Sequence, residues 1–318
     1  MSFKETKDKI EYGDTVILHI GYNNMIPLII KKGETHQTKF GAVKHDAMVG
    51  MTYGTRVQCP KGWICTLHPT PELWTLCLPH RTQILYSTDI SMIIYQLDLK
   101  PGSVVAEAGT GSGSLSHAML RTVLPTGRLL TFEFHKERSE KALEEFTQHQ
   151  LKEFVTVTHR DVCGEGFQLN NEVDAVFLDL PKPWECIKSA KDAIKKEGGR
   201  LCTFSPCIEQ VQRSCDELVK NGFTDITTVE CLARNFNIQK AKLQNINLDD
   251  GAGDTFSIEN ENSGESNPKV MKMENTNLDS KQDKKRDNNS IHCFSAAVPV
   301  IGMQGHTGFL TFASIYSQ

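Results

Sequence analysis

The sequence predicts an α/β protein: a doubly wound, Rossmann-like parallel sheet with a small β-rich domain ahead of it. Three observations carry that expectation. Residues 1–66 hold short β-branched runs separated by glycine turns. From residue 103 onward, apolar runs of strand length alternate with stretches of helical periodicity. A glycine-rich turn, Gly109-Thr110-Gly111-Ser112-Gly113, joins the first of those strands to the first of those helices, and sheets of this kind bind ligands at such turns.

The β-rich stretch contains TVILHI (15–20), MIPLII (25–30) and GTRVQC (54–59), with turns at KKGE and PKG, so antiparallel strands are expected over residues 1–66. Residues 67–102 form a connecting helical segment. Pro69, Pro71 and Pro79 predict an irregular first half, whereas Ile84, Leu85, Ile90, Ile93, Ile94 and Leu97 recur at helical spacing from Gln83 to Leu97. Lys100-Pro101-Gly102 ends that helix. Strands are then expected at 103–109, 128–134, 154–160, 173–180, 199–205 and 226–232, interleaved with LSHAMLRTVL, ERSEKALEEFTQHQ and IEQVQRSCDELVKNG. GHTGFLTFASIY (305–316) reads as a last strand, so the domain would comprise 103–248 plus 292–318. Residues 249–291 are rich in Asn, Asp, Ser, Glu and Lys and nearly free of aromatics, which predicts a disordered insertion.

Composition narrows the class. A chain of 318 residues with 39% apolar content buries a substantial core. No run of 18 uninterrupted apolar residues occurs, so no membrane partner is expected. The first fifteen residues lack an apolar core and are poor in Arg and Ser, against a secretory or mitochondrial leader. Ten cysteines without a Cys-x-x-Cys pair predict reduced, mostly buried thiols and no metal site. The formal net charge is -4, and 249–291 supplies all of it with ten acids against six bases. A neutral remainder is not the basic surface that nucleic acid favours, so such a role requires a local basic face or a partner subunit.

Acids at strand ends carry the chemistry. Glu107 precedes the glycine turn, where glycines let backbone approach a ligand and a helix N-terminus offers amide donors. Ser114 replaces the third glycine of the dinucleotide fingerprint, which disfavours a dehydrogenase. Glu133 lies 24 residues beyond Gly109 and suits ribose hydroxyls. Asp161 ends the third strand, in position for an adenine amino group. VFLDLPKPW (176–184) closes a buried strand on Asp179, with Pro181 and Pro183 stiffening the turn behind it. Trp74 and Trp184 suit either stacking or packing, His80-Arg81 either phosphate contact or a turn cap. Cys207 is a conceivable nucleophile, and Lys284-Lys285-Arg286 a conceivable import signal, weakened by Asp283 and Asp287.

These residues sit in recognisable blocks. EAGTGSGS looks like the first motif of class I methyltransferases that use S-adenosylmethionine. LHPTPELWTLCLPHRTQILYSTDI, VFLDLPKPW, FSPCIEQVQR and GHTGFLTFA together strongly resemble the catalytic subunit of the eukaryotic tRNA adenine N1-methyltransferase family, over all but 249–291. The resemblance implies a class I methyltransferase sheet, and methyl transfer to N1 of adenosine 58 in the tRNA T-loop. It implies a methyl-donor site lined by Leu85, Glu107, Gly109, Gly111, Ser112, Gly113, Ser114, Glu133, Arg138, Asp161, Val162 and Asp179. Asp179, as the catalytic carboxylate, would frame the adenine with Leu178, Leu180, Pro181, Ser205, Pro206, Gln210 and Thr307; His36, Gln37, Thr38, Lys39 and the loop near Trp63 would touch RNA. It further implies a non-catalytic sister subunit in a two-plus-two heterotetramer, and a nuclear location. The alternative on the same fold is a scaffolding, non-catalytic subunit, which has no reason to keep both EAGTGSGS and DLPKPW.

Overall fold

The computed structural model of the protein describes residues 3, 7–21, 24–79, 83–244, 291–300 and 307–317. The predicted insertion (apart from Ile291), His80-Arg81, Lys284-Lys285-Arg286 and the start of GHTGFLTFA lie outside them. Contacts divide the chain into two compact units, Met1–Ala233 with Gln304–Gln318, and Arg234–Met303.

In the first unit, β1 (Thr15–Gly21), β2 (Asn24–Ile29), β3 (Thr35–Thr38), β4 (Gly41–Lys44), β5 (Arg56–Cys59) and β6 (Gly62–Leu67) occupy the β-rich stretch. The order β2-β1-β6-β5 makes a four-stranded antiparallel sheet, and β3 pairs with β4 as a hairpin. Val16, Leu18, Ile20, Val57 and Ile64 close a core of their own.

The proline-rich segment is more regular than expected. Helix α1 (Pro71–Cys77) starts with Pro71 at its first turn, and Thr70 Oγ1 accepts from Leu73 N at 3.3 Å. Proline is tolerated there because that N–H has no intrahelical partner, so Pro71 starts a helix that its mere presence argued against. Helix α2 (Ser87–Gln96) begins four residues later than its periodicity predicted. Ile84 and Leu85 are buried ahead of it in irregular chain, so their apolar character reflects packing, not helical phase.

The central sheet follows: β7 (Val104–Ala108), α3 (Ser114–Val123), β8 (Arg128–Glu133), α4 (Lys136–Gln148), β9 (Val155–His159), α5 (Val162–Glu165), β10 (Ala175–Leu178), α6 (Ile187–Ala193), β11 (Gly198–Ser205), α7 (Ile208–Lys220) and β12 (Thr224–Val229). Side chains alternate between two cores, as strand geometry requires. Val105, Phe177, Cys202 and Phe204 join α3 and α4 residues Met119, Leu120 and Phe146 on one face. Ala106, Val176, Leu178 and Leu201 join Ile187, Ala190 and Leu218 on the other. Helices cover both faces, so strands such as Ala175-Val176-Phe177-Leu178 are apolar throughout.

In the second unit, β13 (Phe236–Gln244) pairs with β14 (Ile291–Pro299) in a separate antiparallel ladder. The sequence-based boundaries at 248 and 292 therefore fall inside a hairpin unit, not at the edges of the sheet domain. The last strand, β15 (Phe309–Tyr316), returns to the central sheet, whose order is β12-β15-β11-β10-β7-β8-β9. It runs antiparallel to both β11 and β12, one departure from an all-parallel sheet. Strand direction leaves no mark in composition, because either direction buries Leu310 and Phe312 on the same face.

Leu310 is fully buried where β15 bridges β11 and β12. Leu310→Ala should remove about 2–5 kcal/mol of stability, read as a lower urea midpoint with an unchanged slope. A midpoint like that of the parent would show that β15 does not hold the sheet edge.

Candidate active site

The strand order reverses between β10 and β7, so a crevice opens at their C-terminal ends. Asp179 N donates to Ala108 O at 2.9 Å as the two strands finish. Gly109 then turns with φ +96°, and a Cβ built there would lie 2.3 Å from Asp179 O. Only glycine permits that crossing. Gly113, at φ 75°, precedes α3. A cavity at this crossing is lined by Gln83, Ile84, Leu85, Glu107, residues 109–115, Phe177 and Asp179.

Two of the lining acids are unusual. Glu107 Oε2 accepts from Ser116 Oγ at 2.6 Å and Thr131 Oγ1 at 2.8 Å, and Thr131 Oγ1 is 2.6 Å from Thr110 Oγ1. Burial nonetheless pushes the Glu107 carboxyl up to about 7, against those hydrogen bonds. Asp179, half-buried and facing the cavity, is pushed up to about 6, first by burial and then by the charge of Glu133. A cavity that disfavours its own negative charges favours a positively charged ligand.

Glu133, at the end of β8, is held by the backbone: Gly111 N donates to Oε2 at 3.0 Å and His135 N to Oε1 at 3.1 Å. Arg138 Nη1 stands 3.8 Å from the same carboxylate. Asp161 caps α5, its Oδ1 accepting from Cys163 N at 3.0 Å, and Val162 is buried beside it. Glu133, Arg138, Asp161 and Val162 are not among the residues lining the cavity. The Ser114 hydroxyl bonds Thr75 Oγ1 at 2.7 Å and Leu85 O at 3.2 Å, so it ties the glycine turn to α1 and to the segment before α2. That use of the third-glycine position was not legible from spacing.

The adenine-framing residues divide. Gln210 bridges two backbones: Nε2 donates to Pro181 O at 3.0 Å and Oε1 accepts from Cys207 N at 3.1 Å. Ser205 and Thr307 bury hydroxyl oxygens without a hydrogen-bond partner among the described residues, a state that proteins avoid unless a ligand completes it. Leu180 packs partly against the core, and Pro206 follows β11. Leu178 departs from expectation: it is wholly buried in the core that holds Ala106, Val176 and Leu201, leaving no surface for a base, because strand alternation turns it to the face opposite Phe177. His36, Gln37, Thr38 and Lys39 lie on the β3–β4 hairpin and its turn, with none lining the cavity.

Among the other candidates, Trp74 is buried, edge-on to Phe3 at 5.8 Å and His149 at 4.6 Å, and so is a packing residue. Trp184 lies 5.1 Å from the Arg213 guanidinium, and Arg56 covers the exposed Trp63 at 3.9 Å. Cys207 is exposed and leads into α7. Only Cys59, Cys186 and Cys202 are buried, fewer thiols than composition suggested. The supporting hydroxyls Thr110, Ser116 and Thr131 went unread because a lone Ser or Thr in a strand or helix carries no sequence signal. A larger cleft, about 380 Å³, opens at the opposite strand ends. Its Lys100 and Lys195 are already paired with Asp98 at 3.2 Å and Asp174 at 2.6 Å, and it holds none of the strand-end acids.

Comparison with known proteins places the family and the fold. Residues 62–315 match the family described as the tRNA methyltransferase complex GCD14 subunit. Over 98% of both chains, the sequence is 41% identical to the tRNA (adenine(58)-N(1))-methyltransferase catalytic subunit TRM61 of Candida albicans. It is 45% identical to the catalytic subunit trmt61a of Dictyostelium discoideum, over 75% of this chain and 78% of that one. Among solved structures, an S-adenosylmethionine-dependent O-methyltransferase from Thermotoga maritima superposes with TM-score 0.72 at 25% identity, covering 98% of this chain and 96% of that one. The tRNA (m1A58) methyltransferase TrmI of Aquifex aeolicus shares the fold, with TM-score 0.65 and 20% identity over 96% and 98% of the two chains.

The raised Asp179 carboxyl has a stability consequence. Between the ordinary 3.8 and about 6, the native state keeps a proton that the unfolded chain has lost. Stability therefore falls as pH rises through that window, by on the order of 2 kcal/mol once solvent in the cavity is allowed for. Asp179→Asn should raise the Tm more at pH about 8 than at pH about 5. Equal shifts at both pH values would show that this carboxyl is not destabilised when charged.

Proposed function

The chain belongs to the family of the tRNA methyltransferase complex GCD14 subunit, and from that premise we propose that it is a catalytic tRNA (adenine(58)-N(1))-methyltransferase subunit. The reaction moves a methyl group from S-adenosylmethionine to N1 of an adenosine in the T-loop. The strongest single support is the crossing of Asp179 over Gly109 beside the acids Glu107 and Glu133, a crevice suited to a nucleoside that carries positive charge.

The residues present fit that donor. The glycine turn leaves a cradle that a Cβ at Gly109 would close. Glu133, fixed by the Gly111 and His135 amides, keeps acceptor capacity for ribose hydroxyls. Asp161 is the acid assigned to the adenine amino group of the donor, with Leu85 and Val162 as apolar walls; Arg138 acts through Glu133. When bound, S-adenosylmethionine supplies an electrophilic methyl group on a sulfonium.

Neutral adenine already carries a lone pair at N1, so this chain needs no base to activate it. What it must provide is alignment and a negative charge. Asp179 accepts from the exocyclic N6 amine of the target, which fixes the ring and stabilises the positive charge that develops on it. Pro181, held through its carbonyl by Gln210, keeps that carboxyl in place, and Thr307, only partly buried, is assigned to the base edge. Because N1 is hidden in paired or stacked RNA, the nucleotide enters extruded.

His36, Gln37, Thr38 and Lys39 and the Arg56–Trp63 stack are assigned to RNA contact. With a net charge of -4, the chain draws part of its tRNA affinity from a basic sister subunit in a two-plus-two assembly. The β13–β14 hairpin exposes Phe236, Ile238 and Phe294, apolar surface that suits burial against another subunit. A nuclear location follows from the family resemblance alone.

The test uses the chain co-expressed with its sister subunit, unmodified tRNA and labelled S-adenosylmethionine, with nucleosides identified by mass. Label should appear in 1-methyladenosine and fall by about 10²–10³-fold in Asp179→Ala. Label in another nucleoside, or full activity in that variant, would contradict the assignment.

A further inference from the structure

The thiols of Cys163 and Cys186 face each other with Sγ atoms 2.9 Å apart. Cys163 sits in α5, two residues after Asp161, and is partly exposed. Cys186 is fully buried and ends the short 3-10 turn Pro183–Cys186, which follows the Asp179–Lys182 loop. The Cys163 sulfur is also 3.8 Å from Lys182 O. We propose that these two cysteines are a redox-modification site, which a hydroperoxide converts to an intramolecular disulfide that clamps α5 to the loop behind Asp179.

The pair is chemically asymmetric. The hydrogen bond with Cys186 holds the Cys163 thiol below its ordinary value, with burial and the Asp161 and Glu185 charges opposing and the Lys182 charge assisting. Cys186, the buried partner, is pushed up by that same contact and by burial. Cys163 is partly exposed and Cys186 wholly buried, so Cys163 is the thiol that meets a dissolved oxidant and attacks first. Its sulfur attacks the peroxide O–O bond, forming a sulfenic acid and releasing the other oxygen as alkoxide or hydroxide. The Cys186 sulfur then attacks the sulfenic sulfur: the S–S bond forms, the S–O bond breaks, and the hydroxide leaves with the thiol proton as water. Two thiols lose two electrons and the hydroperoxide gains them, giving one alcohol (or water) and one further water.

The bond requires the sulfurs at about 2.05 Å, and the closure falls on two short elements, the four-residue α5 and the four-residue 3-10 turn. On the function proposed above, those elements carry Asp161 and Val162 on one side and follow the Asp179–Pro181 segment on the other. A displacement near 1 Å at reacting groups costs up to about 10²-fold, so oxidation should slow methyl transfer reversibly.

The experiment treats the full-length chain with hydrogen peroxide, alkylates the remaining thiols and maps peptides by mass. The expected result is a Cys163–Cys186 linked peptide, two hydrogens lighter than its parts, removed by reductant and absent from Cys163→Ser. Methyl transfer should fall at least about tenfold on oxidation and recover on reduction, while Cys163→Ser keeps its activity through the same treatment. Both thiols alkylated after peroxide would overturn the site, and a linked enzyme of unchanged rate would overturn the clamp. Failure of the reduced protein to methylate tRNA would count against the proposed function alone, because the disulfide map is independent of it.

Discussion

The contact of Gly109 with the backbone of Asp179 is the constraint on which the rest of the site depends. β7 and β10 are neighbours only because the chain reverses its strand order between them. Their ends stay in contact only because residue 109 lacks a side chain and tolerates a positive φ. That contact fixes where the glycine turn begins and where the Asp179 carboxyl points. Glu133 then reaches the Gly111 amide, and the Ser114 hydroxyl reaches Thr75 and Leu85, so three separate segments are fastened to one turn.

The electrostatic character of the crevice follows from this packing. Strand ends that converge bring their acids together, and burial beneath α3 withholds the water that would separate their charges. Glu107 is held by hydroxyls and still rises to about 7; Asp179 rises to about 6. The protein thus carries carboxyls whose charge destabilises it until a cation arrives. Stability given up at such a place is the usual mark of a binding site.

Much of this was legible in the sequence, and the gaps have physical causes. Continuous apolar runs of strand length located the central strands, since each must bury both faces, and strand-end acids located the crevice. Pro71 misled because proline is read as a breaker, although the first helical turn accepts it. The direction of β15 was hidden because both directions bury the same side chains. The β13–β14 hairpin was assigned to the sheet domain because its residues look like strand without showing which strand they pair with. Within the site, Glu107, Glu133 and Asp179 were readable as acids at strand ends. The duties of Ser114, Gln210 and Thr131 were not, because a hydroxyl or amide does the same work on any backbone group that the fold brings to it. Leu178 shows the converse error: a residue next to the chemistry in sequence faces the opposite core.

The measurement closest to the central claim is calorimetric titration of the protein with S-adenosylmethionine and with S-adenosylhomocysteine, from pH about 5 to about 8 in buffers of different ionisation enthalpy. The two ligands differ by a methyl group and a positive charge. If the buried carboxyls are set to meet that charge, the sulfonium ligand gains affinity over the neutral thioether as pH rises through about 6 to 7, and its binding releases protons. Parallel pH profiles for the two ligands, with no difference in proton release, would contradict the account.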